Sequence, residues 1–211
     1  MPSLMRHLVP RRLMVHKLRN SARRQVLLTF DDGPHPEITP QVLDRLDKYN
    51  AKAIFFVVGD RIKRGPEILK AITDRGHWIG NHTYAHTTDR ALSYKEYLSE
   101  LRKCEELVLE KTGIKPVFHR PPQGLITPAT IFSPRQLKLT TIMWSLSSED
   151  WRLKTETAAI ETAEQLRHNV KHRDILLFHD ERSPTLTILD ELLPRLKELQ
   201  FDLAPEVSAI H

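Results

Sequence analysis

The sequence predicts an α/β fold with a mostly parallel sheet or barrel, and three observations carry that expectation. Short apolar runs alternate with capped, helix-periodic stretches six or seven times along the chain. The runs at residues 26–30 and 53–58 are apolar almost without interruption, as parallel strands covered on both faces are. Residues with chemical potential, Asp31, Asp32 and His179, stand where such runs end. In α/β folds the strand carboxyl ends carry the chemistry.

The elements follow in order. Val26-Leu27-Leu28-Thr29-Phe30 is a buried strand that stops at Asp31-Asp32-Gly33-Pro34, a turn signal. Thr39-Pro40 reads as a cap with Pro at the first helical position, and Val42, Leu43, Leu46 and Tyr49 line one face behind it. Residues 53–59 form the second strand. Pro66 to Arg75 is a helix stopped by Gly76, followed by an extended Trp78-Ile79-Gly80. Ser93-Tyr94-Lys95-Glu96 is a capping-box signature opening a long helix to Gly113, with Cys104 on its inner stripe as a small core residue. A strand near 116–119, a helix from Thr127-Pro128 and a strand from Leu139 to Trp144 come next. A helix from Thr155 to about Val170 precedes a strand at 174–178 that delivers His179. Ser183-Pro184 caps a last helix with a kink expected at Pro194, and Phe201-Asp202-Leu203 is a candidate closing strand.

Composition limits the function classes. The 211 residues, 40% hydrophobic and 28% charged, suit one domain with one core. No run approaches the roughly 20 apolar residues of a membrane span. A single cysteine excludes an internal disulfide, and no secretory leader pattern stands at the amino terminus, so a cytoplasmic location is expected. Residues 1–25 hold seven of the 32 Lys and Arg and none of the 27 Asp and Glu, which leaves the remainder at −2 despite an overall +5. The chain therefore divides into a basic arm, residues 1–24, and a body, 25–211. The body shows no basic excess that would point to nucleic acid, whereas the arm could make a weak contact with an anionic surface. Oligomeric state is not legible.

Two adjacent acids at the end of an interior strand repel and cost desolvation energy unless a cation or hydrogen bonds offset them. On this stretch alone, a strand-ending turn explains them equally well. His82-Thr83-Tyr84-Ala85-His86 changes the balance: two His four apart fall on one side of a helical turn and can reach one ion. Alone, that spacing is a weak signal among eleven His. Joined to the Asp-Asp strand end it supplies a two-His, one-carboxylate site with open positions.

The order of Thr29-Phe30-Asp31-Asp32-Gly33-Pro34, His82-Thr83-x-x-His86, Arg120-Pro121-Pro122-x-Gly124, Asp150-Trp151 and Leu177-Phe178-His179 resembles the polysaccharide deacetylase family, carbohydrate esterase family 4, with its chitooligosaccharide-deacetylase homology domain. The resemblance covers about residues 25–205. It implies a distorted (β/α) barrel of about seven mostly parallel strands and a metal-dependent hydrolase that removes acetyl groups from N-acetylated sugar polymers or oligosaccharides. By position, Asp31 corresponds to the catalytic base, and Asp32, His82 and His86 to the metal ligands. Arg120 and Asp150 match the charged pair that tunes base and acid, and His179 matches the general acid. Pro122, Trp151 and Leu177 match substrate contacts, and the main-chain N–H of Gln123 an oxyanion donor.

One divalent ion is implied, zinc first from the N/O ligand set, with cobalt, nickel or manganese also suited. Two positions depart from the pattern: Gln123 stands where an aromatic is usual, and Ser147 where the fourth motif begins with Asp. Both bear on substrate contacts more than on the reaction. Two other functions compete: an amidohydrolase acting on a small non-sugar amide, and a non-catalytic glycan-binding module. The intact set of base, ligands and acid argues against the second.

Overall fold

The computed structural model describes residues 13–88 and 91–210. Seven strands form one all-parallel sheet: β1 (Leu27–Asp31), β2 (Ala53–Val57), β3 (Trp78–Asn81), β4 (Phe118–His119), β5 (Thr140–Thr141), β6 (Leu146–Ser147) and β7 (Ile175–His179). Their spatial order is β5-β4-β3-β2-β1-β7-β6, so the chain winds outward from β1 to β5, crosses to the other edge with β6 and inserts β7 between β6 and β1. The sheet curls into a half-barrel, the distorted (β/α) barrel that the motifs imply. Seven helices accompany it: α1 (Ile38–Lys48), α2 (Gly59–Ile62), α3 (Pro66–Asp74), α4 (Tyr94–Thr112), α5 (Pro128–Gln136), α6 (Glu156–Asn169) and α7 (Pro184–Glu198). None among the described residues is long and apolar enough to cross a membrane.

Strand alternation sorts the side chains into two layers. Leu28 and Phe30, Phe55 and Val57, and Leu176 and Phe178 belong to the core packed against the helices. Leu27, Ile54, Phe56 and Ile175 belong to a separate inner cluster. Both faces are thus buried, which explains the unbroken apolar runs. Phe30 stacks on its register partners Phe55 and Phe178, with centroids 5.0 and 5.5 Å apart. Two residues along, the same parity places Thr29 and Asp31 with the inner set.

The helix signals have physical counterparts. Ser93 and Glu96 form both halves of the capping box at α4, which ends at Gly113 in the left-handed conformation. Cys104 is fully buried on that helix, and burial pushes its thiol up to about 12, as befits a packing residue. The short elements differ from expectation. The strand expected over 139–144 is a strand only at Thr140–Thr141, with an isolated bridge from Ile142 to Val15; β6 has no apolar run to announce it, and Phe201–Leu203 makes an isolated bridge from Asp202 to Gln25 instead of a strand. Two-residue pairings are below the length at which periodicity shows. Helix α7 runs on through Pro194.

Residues 14–18 of the basic arm pack between the β5 edge of the sheet and the lead-in to β7. The Val15 N–H donates to the Thr141 carbonyl (2.8 Å), and Leu18 N–H to that of Arg173 (2.9 Å), ahead of β7. Lys17 pairs with Asp174 at 3.1 Å, and Met14, Val15 and Leu18 are buried. Residues 1–12, with Arg6, Arg11 and Arg12, lie outside the described residues. Because Leu18 belongs to the inner cluster with Leu27, Ile142 and Ile175, Leu18→Ala should cost about 2–5 kcal/mol in urea unfolding. A loss under about 0.5 kcal/mol, the range of ordinary surface changes, would mean that the segment adds nothing to the barrel.

Candidate active site

Asp31 ends β1, is 4% exposed, and receives a hydrogen bond from Arg120 Nη1 at 2.7 Å on Oδ1. Arg120 follows β4 and is fully buried. Its Nε donates to the Ile142 carbonyl (2.9 Å), Nη2 to the Met143 carbonyl (3.0 Å) and Nη1 also to Thr29 Oγ1 (2.9 Å). The guanidinium lies over the Phe56 ring at 4.2 Å. So fixed, it holds one oxygen of Asp31 and leaves Oδ2 on the side of His82, 3.7 Å from Nε2.

Asp32, His82 and His86 bring three ligand atoms within 4.8 Å of one another. Asp32 Oδ1 lies 3.0 Å from His86 Nε2 and 3.6 Å from His82 Nε2. That oxygen is buried and neither contact gives it a hydrogen bond of proper geometry. His82 Nδ1 sits 2.7 Å from the Arg120 carbonyl, so Nδ1 carries the proton and donates it. Its Nε2 then presents a lone pair toward an orphaned carboxylate oxygen, an arrangement that a cation satisfies. Burial pushes the Asp32 carboxyl up, but contact with His86 and the charges of His82, His86 and His179 outweigh it and hold the group below the usual range. Burial pushes His82 down, toward the neutral form that binds metal. The residues present fit a divalent ion with N/O ligands.

The two His converge without the expected helical turn. Thr83 and His86 have φ of 69° and 51°, left-handed values that no helix contains. Asn81 Oδ1 accepts the Thr83 N–H, and the rings end with centroids 5.0 Å apart.

His179 ends β7 and is the register partner of Asp31. Its Nδ1 lies 2.6 Å from Asp150 Oδ1, and its main-chain N–H donates to Asp150 Oδ2 at 2.7 Å. Thr185 also donates to Asp150, which is 1% exposed. Burial opposes the imidazolium, yet the hydrogen bond and charge of Asp150, with Asp31 and Asp32 behind it, raise His179 to about 9. Arg120 and Asp150 therefore serve different partners, one the aspartate and the other the histidine.

These groups open into one cleft of about 610 Å3, also lined by Gln123, Trp144, Ser147, Trp151 and Leu177. Leu177 is buried, whereas Trp151 is half exposed with Arg152 over its ring at 4.4 Å. Gln123 is exposed with φ 54°, and Gly124 has φ 63°. A Cβ on Gly124 would meet the Trp144 ring at 2.6 Å, so glycine is required there twice over. Pro122 lines a separate small cavity with Thr87, Leu92 and Tyr97, not this cleft. Trp78 and Trp144 pack on the inner core, although Trp144 also reaches the cleft.

Four groups behave differently from, or more specifically than, their sequence suggests. Asp180 reads as part of a solvated turn but is fully buried, and burial raises its carboxyl to about 7. Thr39 Oγ1 donates to it at 2.5 Å, a contact across 141 positions that no local pattern reveals. His119 is satisfied by Tyr97 (2.8 Å) and Thr141 (3.0 Å), and His77 is buried and lowered to about 4. Arg61, on α2, donates to the Asp32 carbonyl, and Glu181 lies 2.7 Å from it.

Comparison with known proteins agrees with this geometry. Residues 19–142 match the polysaccharide deacetylase family. A peptidoglycan-N-acetylglucosamine deacetylase of Bacillus cereus is 35% identical over 178 residues, 82% of each chain. A second from that organism and PgdA of Listeria monocytogenes are each 33% identical, and the chain spans 64% and 37% of their lengths. Among solved structures, the Bc1960 peptidoglycan N-acetylglucosamine deacetylase superposes with a TM-score of 0.82 at 30% identity, over 91% of both chains. A CE4 family pseudoenzyme of Bacillus anthracis, 24% identical, shares the fold with a TM-score of 0.84 over 95% of this chain and 69% of that one. On its sequence matches, the chain belongs to the polysaccharide deacetylase family.

Proposed function

We propose that this protein is a metal-dependent hydrolase that removes N-acetyl groups from a glycan, with Asp31 as base and His179 as acid. The observation that carries the reading is the pairing of Asp31 with Arg120 and of His179 with Asp150 beside the Asp32–His82–His86 cluster. A binding module has no use for an aspartate, an imidazolium and three convergent ligand atoms in one cleft. The relatives' names, peptidoglycan N-acetylglucosamine and N-acetylmuramic acid deacetylases, favour an acetylated polymer over a small amide.

A divalent ion held by Asp32, His82 and His86 supplies Lewis acidity that polarises the acyl carbonyl, with zinc the first choice for this donor set. Asp31, oriented through Oδ1 by Arg120, takes a proton from the attacking water on Oδ2. The main-chain N–H of Gln123, at the cleft mouth, is the proposed donor to the developing oxyanion. His179, with Nδ1 committed to Asp150, offers the proton on Nε2 to the departing amine. As that proton arrives the carbon–nitrogen bond breaks, releasing the free amine and acetic acid, which ionises to acetate, and the proton on Asp31 passes through solvent to restore His179. Trp151 and Leu177 supply apolar wall to the cleft, while Gln123 and Ser147 present polar groups to the sugar.

Acetate release from an acetylated glycan panel and from small amides, on metal-stripped and metal-restored protein, tests the reading. Activity restored by the ion on glycans supports it; restoration confined to small amides replaces it with the amidohydrolase. His82→Ala/His86→Ala should lose the stoichiometric ion in elemental analysis. Asp31→Asn should keep the ion and lose turnover, and His179→Ala should be slower by roughly 10²–10⁴-fold. Loss of the ion from Asp31→Asn would reverse the roles of the two aspartates.

The acid also fixes a pH dependence. His179 must be protonated to act, so activity should fall on the alkaline side as pH rises through at most about 9, since a bound cation lowers the group from there. Removing the Asp150 charge in Asp150→Asn should move that limb toward 6.5, the ordinary histidine value. A limb unmoved in the pH–rate profile would show that another group supplies the proton.

A further inference from the structure

Helix α2 is one turn long, yet it touches three of the loops that carry the site, those after β1, β3 and β7. The Val58 N–H at its start donates to the Gly33 carbonyl (2.9 Å), next to Asp32. Gly59 and Asp60 donate to the Thr83 and Tyr84 carbonyls (3.0 and 2.8 Å), between His82 and His86. This approach needs glycine at 59, where a Cβ would meet the Tyr84 ring at 2.6 Å. Arg61 completes the set: Nη1 donates to the Asp32 carbonyl and lies 2.7 Å from Glu181 Oε2, two residues beyond His179.

We propose that Arg61 is a positioning residue for the metal-and-acid site, joining the main chain of Asp32 to the turn after His179 and so aiming the Asp32 carboxylate at His82 and His86. The inference rests on the metal reading above and assigns no contact with substrate. Asp32 has φ 73°, a left-handed conformation uncommon outside glycine although aspartate tolerates it better than most residues, so contacts on its main chain help to hold it. Arg61 supplies the hydrogen bond on that residue's carbonyl, and the Glu181 carboxylate anchors the guanidinium. An ordinary half-exposed ion pair adds little. This one differs because one of its ends is the backbone of a proposed ligand.

Charge and geometry make opposite predictions, which allows a test. Arg61 is a cation near a cation site, so deleting its charge should tighten metal binding if electrostatics is its only influence. If it positions Asp32, deletion should weaken binding. Metal-stripped wild type, Arg61→Gln, Arg61→Lys and Glu181→Gln are titrated with Co2+, followed by calorimetry and by the ligand-field absorption that reports coordination geometry.

Arg61→Gln is expected to bind about tenfold or more weakly, within the range for partners that orient a metal ligand, with an altered spectrum and an unchanged unfolding midpoint of the metal-free protein. Arg61→Lys should recover part of the loss. Glu181→Gln, which loosens the anchor but keeps Arg61, should show a smaller loss and covers the case in which Arg61→Gln does not fold. Unchanged or tighter binding in Arg61→Gln or, failing that, in Glu181→Gln overturns the proposal. Absence of stoichiometric Co2+ in the wild type overturns the metal reading itself.

Discussion

A guanidinium buried in the barrel is the constraint on which the site depends. Arg120 has no exposed surface, and it donates to Asp31, Thr29 and the Ile142 and Met143 carbonyls. Its own carbonyl accepts from His82 Nδ1, so one residue sets both the orientation of the aspartate and the tautomer of a candidate ligand. Two aromatic rings, Phe56 and Trp144, face the cation at 4.2 and 5.5 Å. A buried pair of this kind is no source of net stability by itself, but removing one partner costs about 3–5 kcal/mol because the other charge is stranded. Lysine could not replace it, since a single ammonium lacks the planar fork that reaches strand ends in several directions.

Parallel pairing explains why those directions meet. Asp31 registers with His179 across β1 and β7, and Asn81 with His119 across β3 and β4, so the strand ends lie level. The loops leaving that level turn sharply. Asp32, Thr83, His86, Gln123 and Glu149 all have φ between 51° and 73°, whereas nine non-glycine residues in all have positive φ among the described residues. Left-handed conformations outside glycine cost about 1–3 kcal/mol each. Their concentration around one cleft means that packing and hydrogen bonds hold the loops against local preference, as a preorganised site requires.

Legibility in the sequence follows from the range of the interaction. Asp31, Asp32 and His179 are visible because a buried strand that ends in a charge is locally anomalous, and the capping box of α4 because both halves lie within four residues. The His82–His86 spacing signals convergence, though the loop reaches it by left-handed turns in place of a helix. Arg61 and Asp180 are invisible because their meaning lies in partners brought close by the fold: the Asp32 carbonyl for one, Thr39 for the other. Helix α2, with four residues, has no period to read. The edge strand β6 escapes for the same reason, and with it the placement of Ser147 in the cleft.

The depth of each charge separates what the reaction fixes from what recognition can vary. Asp31 in the cleft and Asp150 behind His179 are nearly inaccessible and each has a dedicated partner, so replacing either strands a buried group. At the rim, Arg152 pairs with Glu149 and Arg182 with Glu181, all but Glu181 about half exposed. Such pairs are worth about 0–1 kcal/mol, so a sugar hydroxyl or carboxylate can displace one at little cost. Gln123 and Ser147, the two departures from the family pattern, sit in this tolerant zone and not among the buried pairs. On the proposed reading, the same buried chemistry serves different substrates through changes confined to the rim, whereas loss of one buried partner leaves the fold with a site that no longer balances its own charges.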